Sequence, residues 1–274
     1  MHIGRVAVIG DLAGHLGELR RELVRLGAHP ETLRLPVDLT VIQVGDLIHR
    51  GPDSEGVVAL VGRYLQEQPE QWVQLAGNHE AQYLLEPAFE WSETIADEAI
   101  AALRSWWSAG RMRIAAVVSS PDEELLVTHA GLTEGFWRQA LDSPPQASHA
   151  AAAINSFIGT HDRVLFSAGE MLGGGKPNLS AGPVWAGAAS ELIPSWLDSD
   201  QGMPFSQVHG HSMVVDWHRR QLRGDFGDRL RIDEDAAHET IALPGGRIIG
   251  IDPGHGRRPH RSWRALEIAD ATVR

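Results

Sequence analysis

Val41-Ile42-Gln43-Val44-Gly45-Asp46-Leu47-Ile48-His49-Arg50-Gly51 joins an apolar run to a cluster of polar side chains. An apolar run stops at a glycine, and a carboxylate, an imidazole and a guanidinium follow within five residues. A run of this length bounded by glycine reads as a buried strand rather than a helix. The same pattern recurs on both sides. Val6-Ala7-Val8-Ile9 runs into Gly10-Asp11, and Trp72-Val73-Gln74-Leu75-Ala76 into Gly77-Asn78-His79-Glu80. Leu125-Leu126-Val127-Thr128 runs into His129-Ala130-Gly131, and Gln207-Val208 into His209-Gly210-His211.

Helical spacing separates the first three runs. Leu16, Leu19, Leu23 and Leu26 share one face, and Ser54 is placed to cap a second helix through Val57, Val58, Leu60, Val61 and Leu65. Strand–helix alternation of this kind predicts an α/β fold with an at least partly parallel sheet. Residues 80–109 are rich in Ala, Glu and Trp and read as helical, and residues 114–118 and 125–128 read as a hairpin. Between 133 and 205 strand signals thin out, and Pro144-Pro145, Gly173-Gly174-Gly175 and Pro204 break the chain into short helical pieces. This stretch is expected to be an insertion packed on a single domain spanning 1–274. Short β-like pieces return at 207–209, 213–217, 230–232, 247–251 and 265–268.

The chain has 274 residues, with 24 Lys and Arg against 36 Asp and Glu, a net charge of −12. The acidic balance argues against general affinity for nucleic acid or anionic membranes. No run approaches the roughly 18 apolar residues of a membrane span, and the N-terminal apolar run is too short for a signal segment. A cytoplasmic protein is the expectation. With no Cys, thiolate metal sites, iron–sulfur clusters and cysteine nucleophiles are excluded. The 14 His are therefore the main nitrogen-ligand resource.

The five expected strands end in Asp11, Asp46, Asn78, His129 and His211. In open α/β sheets ligands bind just beyond the carboxyl ends of strands. Carboxylate, amide oxygen and imidazole are all good ligands for first-row divalent cations. One Gly-Asp after a strand is ordinarily only a turn; five polar strand ends in one chain point to a metal centre. Such a set suits two cations, which together hold phosphoryl oxygens and an attacking hydroxide for in-line displacement. Arg50 is placed to clamp a phosphate, and His79 to protonate a leaving group.

These residues resemble the calcineurin-like metallophosphoesterases, in particular the branch holding Ser/Thr phosphoprotein phosphatases and bacterial diadenosine tetraphosphatases. Gly45-Asp46 through Ser54 looks like the second motif of that branch, and Gly77-Asn78-His79-Glu80 matches its third. Thr128-His129-Ala130-Gly131-Leu132 and Gly210-His211 look like the fourth and fifth, and Ile249-Gly250-Ile251-Asp252-Pro253-Gly254 with Ala265-Leu266-Glu267-Ile268 like the closing strand pair. The resemblance implies two facing, mainly mixed sheets flanked by helices, an αββα sandwich with helical insertions. It implies that Asp46 bridges two metals, Asp11 ligates the first, and Asn78, His129 and His211 ligate the second. Mn, Fe, Zn and Ni all suit this set. The implied activity is hydrolysis of a phosphomonoester or phosphoanhydride by a dimetal-activated hydroxide, with His79 as acid and Arg50 as clamp. The implied substrates are phosphoproteins, dinucleoside polyphosphates or nucleotides.

Two departures qualify the resemblance. The family's first motif carries a His where this chain has Ala13, and we expect His15, two residues on, to supply the missing imidazole. If it does not, the alternative is a catalytically impaired member that uses the fold for binding. Many members also carry an Asp where His49 stands. The Trp185-Ala186-Gly187 stretch resembles a segment that often supplies a phosphate-contacting Arg, which Gly187 does not.

Other signals carry less. His79-Glu80 opens like a zincin helix but lacks the second His, and Gly173-Gly174-Gly175-Lys176-Pro177 lacks the earlier Gly and the Ser/Thr of a P-loop. Trp91, Trp106, Trp107, Trp137, Trp185 and Trp196 read first as packing and second as a stacking wall for a base. Arg257, Arg258, His260, Arg261 and Arg264 read as a solvated basic surface.

Overall fold

The structure, a computed structural model, describes residues 4–172, 174–255 and 262–274. Gly173 of the glycine run and Arg257, Arg258, His260 and Arg261 of the basic run lie outside the described residues. The strands are β1 (Gly4–Ile9), β2 (Leu39–Gln43), β3 (Trp72–Leu75), β4 (Met112–Arg113), β5 (Ala115–Ser119), β6 (Glu124–Thr128), β7 (Ser206–His209), β8 (Val215–Asp216), β9 (Gln221–Leu222), β10 (Leu230–Asp233), β11 (His238–Leu243), β12 (Gly246–Gly250) and β13 (Leu266–Val273). The α-helices are α1 (Leu16–Arg25), α2 (Ser54–Glu67), α3 (Asn78–Leu84), α4 (Asp97–Ser108), α5 (Glu134–Gln139), α6 (Ala147–Ser156), α7 (Asp162–Leu165) and α8 (Ile193–Leu197).

Eleven of the described strands join in one mixed sheet, in the order β10-β11-β12-β7-β6-β5-β13-β1-β2-β3-β4. Strand β13 is the hinge of the arrangement. Leu266 to Ala271 pair antiparallel with β1, Val8 facing Leu266, and the last two residues pair with β5, Val273 facing Val118. The two halves of the sheet fold over each other there. Period-two alternation then sorts the strand residues into two layers. Val6 and Val8, Ile42 and Val44, Ala116 and Val118, Leu125 and Val127, and Ile249 and Ile251 form the core between the two halves. Their neighbours Ala7, Ile9, Val41, Val117, Leu126 and Ile248 belong instead to the cluster that includes helix residues Leu19, Leu23, Val57, Val61 and Ile154. This is the helix–sheet–sheet–helix layering expected from the sequence.

Each half contains a parallel triplet. Strands β1, β2 and β3 run parallel, as do β6, β7 and β12. Six carboxyl ends therefore converge, three from each half, and the polar residues follow immediately after them. Loop geometry there is tightly specified. Glu80, fully buried in α3, accepts the Asp46 and Gly77 N–H groups on Oε2 and the Leu47 N–H on Oε1, each at 2.8 Å. The Asp46 carbonyl in turn accepts from Leu12 N–H (3.0 Å) and Ala13 N–H (2.7 Å). Three strand-end loops are thus tied to one another, two through the Glu80 carboxylate and the third by backbone hydrogen bonds.

Several expectations are corrected in detail. The helical stretch 80–109 is divided into α3 and α4; the first ends just before Glu86-Pro87, where a helical residue ahead of proline would clash. Residues 213–217 contribute only β8, paired with β9 in a separate ribbon. Strand β11 adds to the expected set; its adjacent His238 and Glu239 are both buried, on opposite faces, and break the apolar alternation. Residues 133–205 contain α5–α8 and a π-turn at Ala188–Leu192, with no strand among the described residues. No described helix is long and apolar enough to cross a membrane.

Two stability measurements follow. Ile42→Ala in the core between the half-sheets should cost about 2–5 kcal/mol in urea unfolding, and Ile42→Val about 0.5–1.5 kcal/mol. Glu80→Gln keeps the shape but turns an amide N–H₂ toward backbone donors; it should cost about 1–3 kcal/mol, as expected for buried donors left unsatisfied.

Candidate metal and phosphate site

Asp46 follows β2 with φ of 55°, a left-handed conformation in a residue that is 3% exposed. His49 (70°), Arg50 (64°), Ala13 (44°) and His211 (59°) are left-handed too. Non-glycine residues in this region cost energy and concentrate at functional sites. Close approach explains two glycines. A Cβ on Gly77 would collide with the Asp46 carboxylate, and one on Gly210 with that of Asp11. The carboxylates are seated where only a hydrogen can face them.

Around Asp46 the geometry is compact. Its Oδ1 accepts the His79 N–H at 3.0 Å and lies 3.4 Å from His129 Nε2. His79 Nε2 lies 3.6 Å from Oδ2. Asn78 Oδ1 lies 3.0 Å from His129 Nε2 and 2.9 Å from His211 Nδ1. His129 Nδ1 faces the Val44 carbonyl at 3.0 Å, so a neutral ring places its proton there. His129 Nε2 then has no proton to offer, yet it faces two oxygens, Asn78 Oδ1 and Asp46 Oδ1. Lone pairs converge on lone pairs, and a cation is the partner that would satisfy all of them. His79 Nε2 and His211 Nε2 are also buried without a hydrogen-bond partner. The donor set, one carboxylate, one amide oxygen and two imidazoles, fits a first-row divalent ion.

Electrostatics point the same way. Burial, then repulsion from Asp252 and Asp46, raises the Asp11 carboxyl well above its ordinary range. Burial raises Asp252 as well, against the Gly254 N–H and Arg50. For Asp46 burial pushes upward, but His79, His129 and His211 together hold the carboxyl low. Burial lowers His129, and it lowers His211 well below its usual value. Carboxyls and imidazoles whose charged forms are disfavoured by burial are gathered around Asp46, an arrangement that a bound cation would relieve.

The sequence-predicted residues fall into three groups. Asp46, His129 and His211 each offer a ligand atom within 4.8 Å of the others, with Asn78 among them. Asp11 sits beside this group, its Oδ1 and Oδ2 accepting the His211 N–H at 3.0 and 3.2 Å. His15 groups with Glu18 and His255 and not with Asp46, His129 and His211, its ring stacked on His255 at 4.4 Å. The reason is local. Its position as N-cap of α1 directs the ring toward the first turn of that helix and the 255 loop. Ala13, where the imidazole is missing, is buried at 2% exposure.

His79 is held by its Nδ1 against the Ile48 carbonyl (2.9 Å) and His49 Nδ1 (3.3 Å). His49, His79 and Trp91 pack as a triangle of rings: His49 is stacked on the indole at 4.9 Å, His79 is tilted against it at 4.5 Å, and His49 Nε2 lies 2.7 Å from the Tyr83 hydroxyl. Burial, then His79, lowers His49 to about 4. Arg50 is exposed, with its guanidinium 5.8 Å from the Trp91 ring centre. It lines an open cavity of about 360 Å³ together with Asp46, Asn78, His211 and Asp252. Trp106, Trp137, Trp185 and Trp196 are core residues; Trp91 is the one of these tryptophans set over the His79–His49 pair. Sequence reasoning misses two participants. Asp252 carries the same strand-end signal as the other five, just after β12, and that signal could have found it. Glu80 stands inside a motif, but nothing local marks it as an acceptor for three backbone N–H groups.

A family model for calcineurin-like phosphoesterases matches residues 4–165, more than half of the chain. No curated protein sequence matches it. Among solved structures, the cold-active protein-tyrosine phosphatase of a psychrophilic Shewanella sp. is similar with a TM-score of 0.57 at 13% identity, over 98% of this chain and 76% of that one. A protein serine/threonine phosphatase from Saccharomyces cerevisiae gives a TM-score of 0.50 at 14% identity, over 93% and 69%. These structural likenesses speak for the fold, and the match to the family model goes further: the chain belongs to the calcineurin-like phosphoesterase family.

Proposed function

We infer that this protein is a metal-dependent phosphoesterase that hydrolyses a phosphomonoester or phosphoanhydride. The observation that carries the reading is the convergence of His129 Nε2, Asn78 Oδ1 and Asp46 Oδ1 with no proton to share among them. Asp46, Asn78, His129 and His211 would hold one divalent ion, and Asp11 with Asp46 a second; Mn, Fe, Zn and Ni all suit these donors. Bound cations of this kind polarise phosphoryl oxygens and make water a nucleophile near neutral pH.

The chain's own residues supply the rest. Arg50, at the cavity wall, is free to grip phosphate oxygens with parallel N–H bonds. His79 is oriented by the Ile48 carbonyl so that Nε2 stands on the Asp46 side. In the protonated ring, Nε2–H is the proton passed to the leaving oxygen. Trp91 and His49 cover the other side of the ring and limit the water that reaches it. Proteins similar in fold act on phosphotyrosine or phosphoserine and phosphothreonine by their names, and a phosphoprotein is one candidate substrate beside dinucleoside polyphosphates and nucleotides. A cavity of about 360 Å³, with Arg220 and Arg223 on its wall, leaves room for more than a single phosphate group.

One observation favours a second reading, a binding protein with impaired catalysis. With Ala13 in place of an imidazole and His15 turned to Glu18 and His255, the Asp11 side of the centre has few ligands. Hydrolysis of p-nitrophenyl phosphate by metal-reconstituted protein separates the two. The phosphoesterase reading expects turnover that a chelator abolishes, and Asp46→Asn should abolish it too. His79→Ala should lower kcat by about 10²–10⁴-fold. Arg50→Ala should raise KM more than it lowers kcat. No turnover with Mn²⁺, Fe²⁺, Zn²⁺ or Ni²⁺ on monoesters or anhydrides would favour the binding protein.

A further inference from the structure

We propose that His15, Glu18 and His255 form a separate binding site for a single divalent cation of the zinc class, distinct from the Asp46 centre. One nitrogen from each imidazole and one Glu18 oxygen all lie within 4.8 Å of one another. His255 Nε2 is 3.6 Å from Glu18 Oε2. That separation is close to the edge of a tetrahedron built on zinc bonds of ~2.0–2.2 Å, about 3.4 Å. Two His and one Glu with an open fourth position is a recognised zinc ligand set.

The surroundings favour such a site. His15 is 7% exposed and His255 5%, so the cation would be largely shielded. Glu18 is held in place: its Oε2 accepts the Trp263 indole N–H at 2.7 Å, and Arg21 lies 3.5 Å from its Oε1. Ligating carboxylates are characteristically fixed by such outer hydrogen bonds. The indole edge of Trp263 also packs against the His255 ring at 5.9 Å. The two imidazoles lie against each other, ring centres 4.4 Å apart with 20° between their planes. None of the three residues belongs to the Asp46, His129 and His211 group.

The site would have a mechanical consequence. His15 and Glu18 sit at the start of α1, whereas His255 belongs to the loop after β12 that also carries Asp252, Pro253 and Gly254. Those residues, and His255 itself, line the cavity beside Asp46. A cation here would clip the cavity wall to α1.

The test is cobalt retention by the full chain after loading with Co²⁺ alone and gel filtration, read by elemental analysis and by visible Co²⁺ absorption. Wild type should retain one cobalt per chain more than Glu18→Gln or His255→Ala. His129→Ala, which damages only the Asp46 centre, should keep that cobalt and its absorption bands. Glu18→Gln preserves side-chain shape and guards against a misfolded result, and circular dichroism confirms the fold of each variant. Equal cobalt in wild type, Glu18→Gln and His255→Ala would overturn the proposal. So would loss of all cobalt from His129→Ala, which would make the two groups one centre.

Discussion

The centre depends on one carboxylate that is fully buried beneath it. Glu80 accepts three backbone N–H groups, from Asp46, Leu47 and Gly77, and so fixes the loop after β2 against the loop after β3. That clamp, with the Leu12 and Ala13 N–H groups on the Asp46 carbonyl, holds Asp46 in its left-handed conformation. Gly77 is required on the other side, because any side chain there would strike the Asp46 carboxylate. Burial and the neighbouring Asp46 charge push Glu80 up, the three N–H groups pull it back, and the carboxyl is left raised at about 7. The clamp thus works against its own desolvation, as buried carboxylates do when their hydrogen bonds are made by rigid donors.

From that point the architecture follows. Parallel pairing in each half of the sheet sends three carboxyl ends to the same edge, and β13 joins the halves so that both edges meet. Asp11, Asp46 and Asn78 arrive from one half, and His129, His211 and Asp252 from the other. Three carboxylates gathered away from water repel one another. The imidazoles and Arg50 offset part of that repulsion, and the unshared lone pairs around Asn78 mark where a cation would take up the rest. The net charge of −12 is therefore no obstacle to a phosphate ligand. Positive charge would be concentrated locally, at the strand ends, while the remainder of the surface stays acidic.

Much of this is legible in the residues alone. Apolar runs that end in Gly-Asp, Gly-Asn-His or His-x-Gly mark buried strands feeding polar loops, and the first three runs alternate with amphipathic helices. Those local signals are enough for the α/β class and for Asp46, Asn78, His129 and His211 as neighbours. What is not legible depends on three-dimensional placement. His15 stands two residues from the missing imidazole, but backbone direction at the start of α1 takes its ring to Glu18 and His255. Asp252 obeys the strand-end pattern, yet only the parallel pairing of β12 with β7 brings its loop to the same edge as the others. The pairing of β13 with both β1 and β5 has no local signature, since the chain there reads simply as a strand. Strand β11 hides behind Glu239, a buried carboxylate that accepts the Val214 and Val215 N–H groups at 2.7 and 2.9 Å.

The most direct measurement is anomalous diffraction at the manganese edge from crystals of the full chain grown with Mn²⁺. The account predicts a peak within bonding distance of Asp46, Asn78 Oδ1, His129 Nε2 and His211 Nδ1. Absence of a peak there, with Mn²⁺ in excess and those side chains ordered and hydrogen-bonded to one another or to water instead, would contradict it.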